Sequence, residues 1–137
     1  MVGTLPFILA VLIVAALLLV AMMLTKKRQH IFNKEAYQTK FLSIENKLNK
    51  EHAATYMVAV IEGDKLLDKA MVESGIPGKN MGDRLKRGGN KFSDINAVWR
   101  AHKLRNALAH EDLEITYKQA ANALTIYKQA LKDLGAI

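Results

Sequence analysis

The stretch Trp99-Arg100-Ala101-His102-Lys103-Leu104-Arg105-Asn106-Ala107-Leu108-Ala109-His110-Glu111 decides how the rest of the chain is read. It has no Gly or Pro and consists of good helix formers. With Ala97 just upstream, Ala101, Leu104 and Leu108 recur at 4-3-4 spacing. At about 100° per residue these four side chains fall within roughly 40° of one another, a narrow core seam. Ile95, Val98 and Ala109 form a second apolar set further round. Arg105 falls between the two sets, and His102 and Asn106 sit beside the second. A guanidinium inside an apolar arc is costly unless it is paired or opens onto a cleft. The stretch therefore reads as a core helix carrying a polar group that needs a partner.

The acidic connection Glu111-Asp112-Leu113-Glu114 leads into a final helix, about Ile115 to Leu134, with Tyr117, Ala120, Leu124, Tyr127, Leu131 and Leu134 in an unbroken seam ended by Gly135. Upstream, Ser93 is expected to cap the motif helix, with Asp94 in its first turn. Gly88-Gly89-Asn90 breaks a short helix, Met81 to Lys86, that Asn80 caps. Gly75-Ile76-Pro77-Gly78 stops a helix from Glu51 to Ser74. Tyr56, Val60, Leu67 and Met71 share one face of it, and Gly63 on that face lets a neighbour come close. From Gln29 to Lys50 the pattern Tyr37, Phe41, Ile44, Leu48 predicts one more helix, either a stalk that packs on the domain or a short dimerising segment. No stretch reads as a strand. The fold class is all-α, a small helical bundle of four main helices and one short one, with roughly 110 residues to bury its core.

The N-terminus belongs to another solvent. Leu5 to Leu24 runs 20 residues without a charge, about 30 Å as a helix and enough to cross a bilayer's hydrocarbon core. No Lys or Arg precedes it and Lys26-Lys27-Arg28 follows. That is the reverse of a signal peptide's flanks. The basic cluster predicts a single-pass protein in the cell membrane with its N-terminus outside and its C-terminal domain cytoplasmic. The absence of cysteine agrees with a reducing compartment. Three segments follow: residues 1–28, an anchor with a basic stop; 29–50, a juxtamembrane helix or stalk; and 51–137, the helical domain.

The net charge of +7 is uneven. Between Lys79 and Arg105 lie eight basic residues (Lys79, Arg84, Lys86, Arg87, Lys91, Arg100, Lys103 and Arg105) against Asp83 and Asp94. A basic segment ending at the motif suits a phosphodiester partner, and RNA is the expected one. A membrane-tethered domain offers a second use for the same charge, a surface lying on anionic headgroups.

Arg105-Asn106-Ala107-Leu108-Ala109-His110, late in a small all-helical domain, resembles the HEPN superfamily over about residues 50 to 134. The resemblance implies a metal-independent RNA-cleaving site, with the Arg and His of the motif assembled where two domains form a homodimer. Such chemistry needs a base for the ribose 2′-hydroxyl, an acid for the leaving oxygen, and a cation for the phosphorane-like charge. An imidazole titrates near neutrality and serves as base or acid, which is the role of His110. Arg105 presents a planar fork matched to phosphate oxygens. Asn106, four residues before His110, is placed to orient its ring. His102 is an auxiliary candidate on the same helix, and Trp99 and Tyr117 are candidate base-stacking platforms. No metal or cofactor is predicted: the four His have no zinc spacing, and there is no Cys, phosphate loop or serine elbow. The competing expectation is a non-catalytic, tethered interaction domain with an unknown protein partner, in which Arg105 pairs with Asp112 or Glu114.

Overall fold

The helices of the computed structural model, which describes residues 3–25 and 30–137, begin mostly on side-chain caps. Asn33 Oδ1 accepts from the Ala36 amide at 3.1 Å and starts α2, Lys34–Lys47. Asn80 caps α4, Met81–Gly88, through the Asp83 amide at 2.9 Å. Asp94 caps α5, Ile95–His110, through Ala97. Thr116 and Gln119 close a reciprocal capping box at the head of α6, Tyr117–Asp133. Helix α3, Ala54–Glu73, has no side-chain cap. It ends with Gly75 at φ +79°, the Ile76 amide reaching the Met71 carbonyl at 3.1 Å. Gly135 at φ +77° ends α6 in the same manner. Among the described residues no strand forms.

Helix α1, Thr4–Thr25, buries no residue and is long and apolar enough to cross a membrane. The basic stop at Lys26, Lys27 and Arg28, and Gln29, lie outside the described residues.

The other helices share one core. α2 runs antiparallel to α3, with Lys47 paired to Glu62 at 2.9 Å and Lys69 over the Tyr37 ring. Its Tyr37, Phe41 and Ile44 are buried, so α2 packs into the bundle, as a stalk lying on the domain was expected to do. α3 and α6 lie side by side in the same direction: Tyr56 meets Tyr117 edge-on near their N-termini, and Gly63 meets Leu124 and Tyr127 further along. α5 carries the chain back between them. Ser93 and Asp133 mark one end of that antiparallel pair, with Ala101 and Tyr127 near its middle. The bundle thus has a near end, formed by residues 30–34, 74–78, 87–93 and 132–135, and a far end, where α5 stops at His110.

Two expectations change in detail. Ser93 is not the α5 cap: its amide and hydroxyl both go to Asp133 Oδ2 at 2.8 Å, and Asp94 does the capping. The buried face of α5 is Ala97, Val98, Ala101, His102 and Leu108, while Leu104 is half-buried and Ala109 exposed. The helix is rotated toward its polar residues because α3 offers them a partner.

Gly63 fixes the α3–α6 spacing. A Cβ there would lie 2.7 Å from Tyr127 Cδ2 and 3.0 Å from Leu124. Gly63→Val should cost about 1–3 kcal/mol by overpacking, read as a lower thermal midpoint in detergent. An unchanged midpoint would show that the two helices are not in such close contact. At the near end, burial pushes the Asp133 carboxyl up, but the Ser93 amide, the Gln129 side chain and the Ser93 hydroxyl outweigh it, and the net direction is down. A carboxyl held below its unfolded value stabilises fully above about pH 4 and loses that contribution as pH falls through the folded value. Asp133→Asn should therefore be less stable than wild type by up to about 1 kcal/mol at neutral pH, the gap closing in acid. A gap that does not narrow as pH falls would contradict this assignment.

Candidate functional site

The partner that Arg105 needs is Asp64, a carboxylate on the core face of α3 that is only 4% exposed. A bare buried carboxylate is costly, so its contacts matter. His102 Nδ1 lies 2.9 Å from Asp64 Oδ1. The Tyr127 hydroxyl lies 3.2 Å from the same oxygen and 3.0 Å from the Ala101 carbonyl, one proton facing two acceptors. Arg105 Nε faces Asp64 Oδ2 at 3.6 Å, an ion pair just beyond hydrogen-bond reach, and this buried N–H has no hydrogen-bond partner. Burial and the Asp64 charge push the Tyr127 phenol up, with Arg105 opposing, so the phenol remains a donor.

Asn106 closes the ring. Arg105 Nη1 donates to Asn106 Oδ1 at 3.0 Å, which turns the amide nitrogen toward His102 Nε2 at 3.3 Å. A guanidinium only donates, so the amide oxygen must face it and the NH2 must face His102. His102 then accepts at Nε2 and carries its proton on Nδ1, toward Asp64. Donor and acceptor roles agree from Asp64 through His102 and Asn106 to Arg105, and the Arg105–Asp64 ion pair closes the ring. The ring ties α5 to α3, and Tyr127 on the same carboxylate brings in α6.

The expected site residues separate into groups. Arg105 and Asn106 are partly buried members of the ring. Asn106 has both ends of its amide occupied by Arg105 and His102, so it does not orient His110. His110 is exposed at the last position of α5 and makes no hydrogen bond or ion pair among the described residues. Arg105 pairs with Asp64, not with Asp112 or Glu114, which lie in the exposed connection after α5. His102, expected as an auxiliary, sits at the centre of the ring. Trp99 is half-buried, edge-on to His102 and close to Gly82, which makes it a packing residue. Tyr117 is 36% exposed at the far end.

The basic residues are likewise divided. Arg84 is buried, with Nε and Nη2 on Asp68 at 2.7 and 2.9 Å and Nη1 on the Gly78 carbonyl at 2.7 Å. That bidentate pair is a structural clamp between α4 and α3, so Arg84 is removed from the nucleic-acid-binding set. Lys79, Lys86, Arg87 and Lys91 are exposed on α4 and its flanking loops; Arg87 and Lys91 line a cleft at the near end, opposite to His110. Arg100 and Lys103 are exposed on α5 itself. Arg100 also borders a shallow cavity of about 200 Å³ between α5 and α6, walled by Leu104, Ala123 and Ile126.

Asp64 and Tyr127 are the residues that sequence reasoning missed as site members. Their signal was available: Asp64 occupies the step between Val60 and Leu67 in an apolar seam, where a carboxylate is as anomalous as Arg105 on α5. Comparison with protein-family models, curated proteins and solved structures finds no match to this chain.

Truncating Asp64 strands His102, Tyr127 and Arg105 together. Asp64→Ala should cost about 3–5 kcal/mol, against about 1–2 kcal/mol for Tyr127→Phe, which retains the ion pair. Urea titrations of the two variants should differ in that order. Equal costs would mean that the carboxylate is not the hub.

Proposed function

We propose that the chain is a membrane-anchored, HEPN-like RNA endonuclease that works without metal, with the domain on the cytoplasmic side of α1 and the site completed by a second copy. One observation carries this reading. The motif helix holds the inner edge of Arg105 by Asp64 and Asn106, while His110, one turn beyond, is left exposed without a partner. Arg105 retains 32% of its side-chain exposure, so Nη2 can reach a phosphate oxygen while Nε stays with Asp64. A fork braced on one side and open on the other is preorganised for a developing anionic charge.

In this reading Arg105 stabilises the phosphorane-like charge. His110 takes the 2′-hydroxyl proton or returns a proton to the leaving 5′-oxygen, and a second copy's His110 supplies the other role. The products are a 2′,3′-cyclic phosphate and a 5′-hydroxyl. Asn106, His102 and Asp64 act through Arg105 as positioning residues. Arg100 and Lys103, exposed on the same helix, add phosphate contacts. The cavity bounded by Leu104 and Ile126 offers apolar surface to the second copy.

The Arg105–Asp64 pair also favours a second reading, a non-catalytic interaction module whose ring is only structural. The two diverge at His110, which no fold contact explains. With the full chain in detergent and chelator present, a single-stranded RNA should be cut, and His110→Ala should lower the rate by at least about 100-fold with unchanged helicity and melting. Arg105→Lys, which preserves the charge but not the fork, should be nearly as inactive. Mixing the two inactive proteins should restore activity if Arg and His come from different copies. No cleavage by wild type, or cleavage indifferent to His110, assigns the ring to structure alone.

A further inference from the structure

The near end of the bundle holds a cleft of about 910 Å³ that the RNA reading does not use. Lys34, Arg87, Lys91 and Lys132 line it. All four are exposed, and none makes an ion pair or hydrogen bond among the described residues. Among the described lining residues Asp133 is the one carboxylate; it accepts from Ser93 and Gln129, neutral donors that leave its charge in place, and Glu73 adjoins the cleft 3.5 Å from His30. Four cations against the carboxylates of Asp133 and Glu73 leave the cleft net positive.

Helix dipoles explain part of it. Arg87 and Lys132 stand in the last turns of α4 and α6, where cations are favoured. They do not explain Lys34, which opens α2 at the end where a cation is disfavoured. Lys91 ends the short 3-10 turn that follows α4, a weaker helix end than those of α4 and α6.

Chain length supplies the occupant. α1 ends at Thr25 and the cleft includes His30, so at most about 18 Å of extended chain separates them. The headgroup layer accounts for about 5–8 Å of that. The cleft then sits within about one Debye length of the headgroups. Ile31, next to His30, is 91% exposed, an apolar side chain presented where a bilayer interface would receive it. His110, by contrast, is at the far end, so one short RNA at the motif does not reach this cleft.

We propose that the cleft bounded by Lys34, Arg87, Lys91 and Lys132 binds the phosphate-bearing headgroups of anionic phospholipids and clamps the near end of the bundle onto the bilayer that α1 crosses. The inference rests on α1 spanning a bilayer and is independent of the RNA chemistry. Each cation held this close multiplies occupancy of an anionic surface about fivefold.

The chain has no cysteine, so Asn90→Cys, also lining the cleft, gives a unique attachment point for a fluorophore. The labelled full chain is reconstituted in vesicles of phosphatidylcholine, with or without phosphatidylglycerol, carrying headgroup-spin-labelled lipid as quencher. Phosphatidylglycerol should raise quenching several-fold. Arg87→Gln, Lys91→Gln and Lys132→Gln together should return it to the neutral-lipid level. Lys40→Gln, Lys65→Gln and Lys118→Gln, an equal loss of charge on other exposed surface, should leave it intact. Quenching indifferent to lipid charge overturns the clamp. Displacement by soluble glycerol phosphate would reassign the cleft to a free phosphate ligand, and displacement by an RNA oligonucleotide to nucleic acid; either overturns the lipid assignment. Alkaline carbonate separates the premises: release of the chain from vesicles overturns the span and the clamp with it, whereas a retained chain with no charge-dependent quenching overturns the clamp alone.

Discussion

A carboxylate in the middle of the core organises this bundle. Asp64 is surrounded by α3, α5 and α6, and an isolated charge there would weigh heavily against folding. His102, Tyr127 and Arg105 answer it from two helices, and each answer fixes a rotation: α5 turns its polar edge inward, and α6 places Tyr127 against α3. Gly63, the residue before Asp64, makes that approach possible, because any side chain there would meet the Tyr127 ring. Neighbouring positions on α3 thus supply the space and the acceptor for one tyrosine. The geometry is shared among residues that cannot be moved one at a time.

Much of this was legible from spacing. The seams of α2, α3 and α6 are apolar at helical period, the glycines that end α3 and α6 lie where a left-handed residue is needed, and Asn80 stands ahead of the helix it caps. α5 was harder. Its apolar residues alone point to a face centred on Leu104, yet the buried face includes His102 and takes in the inner edge of Arg105. Periodicity counts apolar side chains and is blind to a polar group whose partner lies 38 residues away, as Asp64 does from His102. Arg84 shows the same blindness: in sequence it is one of eight cations, and in space Asp68 and the Gly78 carbonyl enclose it. Ser93 and Asp94 were exchanged because both are good caps, and only the arrival of Asp133 decides between them.

The uneven charge takes on a different meaning once placed. A run that reads as one basic segment is divided by the path of the chain through α4 and α5. One of its cations is a structural clamp, Arg87 and Lys91 turn to the near end, and Arg100 and Lys103 stay with the motif helix. Contiguity in sequence is not contiguity of potential, because α5 runs antiparallel to its neighbours and carries its last turn to the opposite end. The charge therefore forms two separate fields, which one short polyanion would not span.

Tethering changes what such a domain requires from each field. On the proposed reading, in which α1 crosses a bilayer, the domain would be confined to a thin layer at its surface, where encounters between copies would occur at a raised effective concentration. A weak contact between copies across the cavity at Leu104 and Ile126 would then suffice for the proposed pairing, provided the domain does not tumble freely. The proposed clamp at the near end would remove that freedom and direct α5 outward, with its exposed imidazole farthest from the lipid. If both proposals hold, the two ends reinforce one another: an orientation fixed at the membrane would lower the entropy cost of assembling a shared site, and the braced Arg105 would have less left to organise when a phosphate arrives.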